Sequence, residues 1–248
     1  MVAPIPPSIP NRIDADRSGQ AGFTLVELSI VLVIIGLIIG GVLKGQEMIQ
    51  SARLKSTMNQ VEAYRAAHNT FRDRYGALPG DFKDGQAALG DHVGITWTTP
   101  ACDGSNAACD GDGVIEGSGA SQESLLYWQH LAAADMITGI ELGDTVVSAH
   151  GQGLPSAPVG GGFSIEWVTV AGKRAHWINL ERAPSSTDGI IDGGEAESID
   201  RKLDDGRPGT GWIRQTYTTC LDGGSALTTA SQYNRTTGEN CHLVFEIN

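Results

Sequence analysis

The feature that most constrains this chain is an apolar run near its start, residues 22–42, with the sequence GFTLVELSIVLVIIGLIIGGV. A run of this length, ~20 residues, can cross a lipid bilayer as an α-helix. It contains one acidic residue, Glu27, and a carboxylate inside a membrane span costs roughly 2.5–3.5 kcal/mol on insertion scales. Such a group needs a partner, and we expect that partner to be an α-amino group created by cleavage between Gly22 and Phe23.

The segment Gly-Phe-Thr-Leu-Val-Glu-Leu, residues 22–28, resembles the processing site of type IV pilins and of the pseudopilins of type II secretion. The resemblance implies that a prepilin peptidase and N-methyltransferase cuts after Gly22 and methylates Phe23. It further implies that Glu27 helps to dock the subunit into a filament. The implied partners are membrane lipid, an inner-membrane assembly platform and other copies of the subunit.

The same resemblance implies a location. The chain is expected to cross the inner membrane once, with its globular part in the periplasm, and then to become part of a surface pilus. Two simpler interpretations of residues 22–42 are weaker. A secretory signal has a shorter apolar region of about 7–15 residues with the cleavage site after it. A plain membrane anchor leaves the charge of Glu27 unexplained.

Three segments follow from these expectations: a cleaved leader over residues 1–22, a transmembrane and stem helix over 23–75, and a globular domain over 76–248. The helical pattern continues past the membrane, because apolar and aromatic side chains recur at steps of three and four. They are Leu54, Met58, Val61, Tyr64, His68, Phe71 and Tyr75. Gly76 and Pro79 then end the helix. We interpret His68 as a core residue rather than a ligand.

Small residues recur within the apolar run at Gly36, Gly40, Gly41 and Gly45, which form two GxxxG pairs. Glycine at this spacing lets helix backbones approach closely in lipid, so the pattern predicts helix packing between subunits. The alternative is that membrane helices simply tolerate glycine.

The globular domain is expected to be α+β, with the stem helix packed on a small antiparallel β-sheet. Residues 163–170 and 174–180 read as two strands of a hairpin around Ala171-Gly172. Residues 121–139 and 196–205 read as helices, with Ser121 as a cap of the first. Residues 212–218 and 241–247 read as closing strands. Pilin-type globules share this plan.

Charge is distributed unevenly along the chain. Residues 76–248 carry nine Lys/Arg and twenty-three Asp/Glu, whereas residues 1–75 carry eight and six. An acidic globule argues against nucleic-acid binding through its bulk surface, since phosphate contacts need basic side chains.

The four cysteines, Cys102, Cys109, Cys220 and Cys241, all follow the membrane span, where the compartment should be oxidising. Local pairing gives Cys102–Cys109 and Cys220–Cys241, although the sequence permits three connectivities. The second pair resembles the disulfide-bounded region of pilins. Reduced thiols with a catalytic role are the alternative.

A calcium site is a further candidate. Asp110 and Asp112 lie two residues apart and are followed by Gly113, as at the start of a calcium loop, and Asp103 would be brought near by a Cys102–Cys109 bridge. An ordinary Asp/Gly turn is the competing interpretation. The acids Asp188, Asp192, Asp204 and Asp205 are weaker candidates.

The resemblance implies a structural subunit and not an enzyme. We find no GxSxG, HExxH or P-loop motif, and the six histidines form no helical i, i+4 pair. A membrane-tethered hydrolase stays open as a hypothesis, because catalytic triads need no local motif. The same residues are compatible with a type II secretion pseudopilin, and with a membrane-anchored binding module that has an acidic, calcium-binding globule.

Overall fold

A computed structural model describes residues 22–90, 109–117, 122–140, 149–224, 226–236, 238 and 241–247. The predicted α+β arrangement is confirmed: a long N-terminal helix is followed by a globule with a four-stranded antiparallel sheet. The helices and strands are α1 Leu25–Tyr75, α2 Gly85–Leu89, α3 Gln122–Ala133, β1 Gly162–Val170, β2 Lys173–Glu181, α4 Gly193–Leu203, β3 Ile213–Gln215 and β4 Leu243–Ile247. Residues 1–21 of the predicted leader lie outside the described residues.

The chain divides into two compact units, Met1–Met48 and Ile49–Asn248. In the first unit, the apolar side chains of α1 are exposed and are described with the functional site below. In the second unit, residues 49–75 of α1 pack against the globule. The predicted segment limits at residues 22 and 75 stay predictions.

The predicted apolar stripe of α1 is the face that packs in the second unit. Val61, Tyr64, His68 and Phe71 are each at most 4% exposed. The Tyr64 ring meets the indole of Trp128 on α3 edge-on, with ring centroids 4.9 Å apart. The three-and-four spacing therefore did identify the buried face.

The sheet has the strand order β1-β2-β4-β3, and every neighbouring pair is antiparallel. The predicted hairpin joins β1 to β2 through Ala171 and Gly172, whose φ angles of 48° and 79° are those of a two-residue type I′ turn. One face of this hairpin carries buried apolar residues of the main core: Phe163, Ile165, Ile178 and Leu180.

The predicted C-terminal end of the helix over residues 121–139 was wrong. Helix α3 ends at Ala133 and not near Gly139, because Asp135 adopts a left-handed φ of 57°. The backbone N–H of Met136 then donates to the carbonyl of Leu131 at 3.0 Å, which closes the helix end in a Schellman arrangement. The predicted cap, Ser121, lies outside the described residues.

Helix α4 begins three residues earlier than predicted because Asp192 caps it. The Asp192 carboxylate accepts from the backbone N–H of Glu195 at 2.8 Å, and the Glu195 side chain accepts from the Asp192 N–H at 3.2 Å. This reciprocal pair is a capping box, which satisfies two backbone donors that a helix start leaves open.

Strand β3 is shorter than the predicted 212–218. The Asp204 carboxylate accepts hydrogen bonds from the backbone N–H groups of Trp212 and Ile213, at 2.5 and 2.9 Å. Gly211 is required beside it, since its φ is 70° and a Cβ there would collide with the same carboxylate. Past β3 the chain turns into a short 3₁₀ helix, Thr218–Cys220.

Strand β4 also starts two residues later than the predicted 241–247. Cys241 precedes it and forms an isolated bridge with Ile191 instead of pairing in the sheet.

Candidate functional site at the N-terminal helix

The start of α1 is organised by Thr24 and Glu27. The backbone N–H and the hydroxyl of Thr24 both donate to Oε2 of Glu27 at 2.9 Å, and the Thr24 hydroxyl accepts from the Glu27 N–H at 3.2 Å. Thr24 precedes the first helical residue, Leu25, so the pair forms a capping box. The carboxylate of Glu27 is thus hydrogen-bonded within its own chain.

The apolar side chains around this cap are exposed in the first unit. Phe23 is 82% exposed, and the large apolar residues from there to Val42 have exposed fractions of 45% to 88%. This part of α1 is long and apolar enough to cross a membrane, with a mean hydropathy of 2.7 over its best window, none of it buried. An apolar surface of this size requires lipid or a protein partner to cover it.

The four glycines of the apolar run lie along this exposed part of the helix. A Cβ added at Gly36, Gly40, Gly41 or Gly45 would meet nothing within 4 Å. Within the described residues, the fold of one copy therefore does not require glycine at these positions. Their role in packing between subunits stays a prediction.

Residues 17–43 match the family model of the prokaryotic N-terminal methylation motif. The chain carries the N-terminal methylation motif of type IV pilins and pseudopilins. The match covers the predicted cleavage site, the predicted mature N-terminal residue Phe23 and Glu27, and it ends before Lys44. No curated protein and no solved structure matches the chain.

The methylation motif contains a local role for Glu27 that sequence reasoning missed. Thr24-Leu-Val-Glu27 has the spacing of a capping box, in which a threonine is followed three residues later by a glutamate. This spacing is visible in the sequence, but Glu27 was interpreted only as the charge that docks the subunit.

The two remaining acids of the predicted calcium site, Asp110 and Asp112, lie together with a residue that was not predicted. Asp81 brings a carboxylate oxygen within 4.8 Å of theirs. Asp81 is only 2% exposed, and it accepts from the backbone N–H groups of Gly111 and Gly113 at 2.6 and 2.7 Å. Asp103 lies outside the described residues.

The loop over residues 109–117 is held by buried side chains from three other places in the chain. Besides Asp81, Glu123 of α3 accepts from the N–H groups of Cys109 and Glu116, and His176 of β2 accepts from the Ile115 N–H at 3.0 Å. Burial raises the pKa of Glu123 to about 7. These contacts are sufficient to explain why the loop is ordered, and a bound cation there stays a prediction.

A second group of acids lies at the end of α4. Asp200, Asp204 and Asp205 place carboxylate oxygens within 4.8 Å of one another, and the last two were among the weaker predicted candidates. Asp200 is fully buried and accepts from the Tyr233 hydroxyl and the Gly206 N–H. Burial raises the pKa of Asp200 to about 7. The other weak candidates, Asp188 and Asp192, do not belong to this group.

Cys220 and Cys241 form a disulfide, with their Cα atoms 5.1 Å apart. The bridge closes residues 221–240 into a loop, and this disulfide-closed loop contains Tyr233. Cys109 is also disulfide-bonded, and its predicted partner, Cys102, lies outside the described residues.

The predicted core role of His68 fits its surroundings. The side chain is 1% exposed, and its Nδ1 lies 3.4 Å from the hydroxyl of Tyr127. Burial lowers the pKa of His68 to about 4, so the ring stays neutral at physiological pH.

Proposed function

We propose that this chain is the precursor of a structural subunit of a type IV pilus-like filament. In this proposal a prepilin peptidase removes the leader after Gly22, the new N-terminal Phe23 is methylated, and the mature subunits polymerise through their N-terminal helices. The observation that carries the proposal is the methylation motif on an exposed, membrane-length helix with a single acid near its start. The motif favours a structural subunit over an enzyme.

The mechanism follows from the position of Glu27. Cleavage leaves Phe23 one residue before the helix cap, so the new ammonium group lies at the lipid-covered end of the helix. A carboxylate of an incoming subunit can neutralise that ammonium in a medium of low dielectric, where charge pairs attract strongly. The apolar helices contribute packing, and the charge pair selects the register between neighbours.

The experiment separates the charge of Glu27 from its capping role. Glu27→Gln keeps an oxygen that can accept from Thr24 but removes the charge. We expect this variant to be processed and inserted like wild type, yet to yield at least about tenfold less filament in material sheared from cells, since it lacks the charge pair. The readouts are immunoblots of the sheared and cell fractions, with mass spectrometry of the mature N-terminus.

Thr24→Val is the matched control, since it removes the hydroxyl contacts of the cap and keeps the acid. We expect it to assemble nearly as well as wild type. Wild-type filament yield from Glu27→Gln would contradict the charge mechanism. A mature N-terminus other than methylated phenylalanine would contradict the proposal as a whole.

A pseudopilin of type II secretion carries the same motif and uses the same processing. The two assignments differ in the product, which is a short periplasmic structure for a pseudopilin and a surface fibre for a pilin. Electron microscopy of sheared surface material, with mass spectrometry of the subunits, distinguishes them, and the genes beside this one provide a second criterion.

A membrane-anchored binding module is the candidate from a different class, and the Asp81, Asp110 and Asp112 carboxylates favour it. Calcium takes six to eight oxygen ligands, and extracellular sites bind it at roughly 0.1–1 mM. We therefore expect about 1 mM calcium to raise the thermal unfolding midpoint of wild type and not that of Asp110→Asn/Asp112→Asn. Asparagine keeps the turn hydrogen bonds, and magnesium is the control ion. An equal effect on both proteins would contradict this site.

A further inference from the structure

Four basic residues form one surface on the acidic globule. This basic patch consists of Arg201, Lys202, Arg207 and Arg235, all exposed, and it holds four of the nine Lys/Arg of residues 76–248. The patch lies where α4 meets the disulfide-closed loop. An open groove of about 900 Å³ runs between them, lined by Arg201, Arg207 and Arg235, and a second depression of about 370 Å³ adds Lys202.

The four basic side chains outnumber by one the acids that line the same two depressions, which are Glu197, Asp205 and Asp222. A single carboxylate, that of Glu197, bonds both Arg201 and Arg235. Among the described residues, the side chains of Lys202 and Arg207 make no hydrogen bond or ion pair. Two of the four cationic groups, those of Lys202 and Arg207, are therefore not paired within the described residues, and they lie beside two arginines that share one carboxylate.

The opposite charge is presented elsewhere on the same chain. The acidic loop, residues 110–116, carries Asp110, Asp112 and Glu116, which are all exposed. Gly111 separates the two aspartates, so no bulky side chain lies between them. Because Asp81 and Glu123 hold the loop by its backbone N–H groups, its acids are presented on a fixed backbone.

The basic patch and the acidic loop lie near opposite ends of residues 49–75 of α1, the part of this helix in the second unit. Helix α4 starts beside Gln50, whose amide donates to Glu195 at 2.8 Å. The acidic loop is bound to Asp81, whose neighbour Phe82 packs on Tyr75 with ring centroids 5.7 Å apart. Positions 50 and 75 are separated by ~38 Å along a helix that rises 1.5 Å per residue.

We propose that the basic patch of one subunit binds the acidic loop of a second copy of this chain. Two different surfaces meet in such a contact, so it is heterologous and can repeat without closing, as a filament requires. The acidic loop of a second copy is the occupant of opposite charge that the chain itself supplies. This inference rests on the proposed filament function and assigns the globular surfaces that would meet in it.

The test is a charge swap in the full-length chain, expressed in cells as the only copy. Lys202→Glu/Arg207→Glu reverses the patch without breaking an internal pair among the described residues, and Asp110→Lys/Asp112→Lys reverses the loop. We expect each pair alone to reduce sheared filament about tenfold, and the four changes together to restore it to within about twofold of wild type. Asp188→Lys reverses an exposed acid outside both surfaces and should leave the yield unchanged.

Processing, membrane abundance and protease resistance are measured for each variant, so that a folding defect is recognised. The neutral pairs Lys202→Gln/Arg207→Gln and Asp110→Asn/Asp112→Asn keep the fold contacts. They should make filament yield less dependent on salt than in wild type. Wild-type yield from either reversed pair, or no restoration in the four-fold variant, overturns this contact and leaves the filament function standing. Absence of filaments from the wild-type chain would overturn the filament function as well.

Discussion

The hydroxyl of Tyr233 donates a 2.7 Å hydrogen bond to the carboxylate of Asp200, and both side chains are buried. The two residues are 33 positions apart, and their contact fixes the disulfide-closed loop to α4. The same loop presents Arg235 beside Glu197, so the position of the basic patch depends on this buried pair.

Tyr233→Phe should weaken this connection. Asp200 would keep the Gly206 N–H at 3.1 Å but lose its second donor, and losing one partner of a buried group costs about 1–3 kcal/mol. The measurement is the free energy of unfolding of the detergent-solubilised chain. Tyr75→Phe is the control, since the Tyr75 hydroxyl has no hydrogen bond within the described part of the chain. Equal effects of the two changes would argue against a specific role for the Tyr233 hydroxyl.

The pH dependence of the free energy of unfolding should reveal the titration of Asp200. Burial raises its pKa to about 7, above the ordinary value of 3.8 that applies to the unfolded chain. Between these values the native chain retains a proton that the unfolded chain releases. The contribution of Asp200 to stability is therefore complete below the lower value and lost as the pH rises through about 7.

Asp200→Asn removes this titration. We expect the free energy of unfolding of wild type, relative to the variant, to fall between about pH 4 and pH 7, with a slope of at most ~1.4 kcal/mol per pH unit. Buried histidines such as His68 contribute in the opposite direction, because burial lowers their pKa, but both proteins share them and the difference cancels. Parallel pH curves would show that Asp200 does not titrate in this range.

Loss of the Cys220–Cys241 disulfide should destabilise the second unit. The bridge joins residues 21 positions apart, and the chain-entropy account assigns about 3 kcal/mol to a loop of that size. Cys220→Ser/Cys241→Ser should lower the thermal unfolding midpoint and expose residues 221–240 to proteolysis. An unchanged midpoint, with the loop still resistant, would show that the Tyr233 and Arg235 contacts suffice without the bridge.

Gly22→Leu should block removal of the leader. A Cβ at Gly22 would meet nothing within 4 Å, so the larger side chain leaves the fold intact and acts on access by the peptidase. The variant should migrate as an unshifted precursor band on a gel, whereas the matched control Gly22→Ala should be cleaved at least in part. Normal maturation of Gly22→Leu would place the cleavage site elsewhere.

Local patterns predicted much of this fold. The stripe from Leu54 to Tyr75 and the hairpin around Ala171-Gly172 depend on spacing and turn chemistry within a few residues, and both were found. The methylation motif was equally local. The end of α3 was missed because an aspartate, Asp135, adopts the left-handed conformation for which glycine is the usual sign.

Contacts between distant segments were not predictable in the same way. Asp81 joins Asp110 and Asp112 from 29 and 31 positions away in the chain, and no periodicity connects them. The pairing of Tyr233 with Asp200 likewise depends on how the disulfide-closed loop returns to α4. From the sequence alone, each of these residues is indistinguishable from an ordinary surface or turn residue. Its partner is determined only by how the whole chain packs.

The hydrogen bonds between Thr24 and Glu27 affect how much free energy the proposed charge pair can contribute when a subunit joins a filament. Before it meets a neighbour, the Glu27 carboxylate already has two donors, the backbone N–H and the hydroxyl of Thr24. In the proposed assembly, docking exchanges one hydrogen-bonded arrangement of this carboxylate for another and does not rescue a bare ion. The electrostatic gain from the charge pair is therefore a difference between two paired states, smaller than the pairing of a bare ion would give.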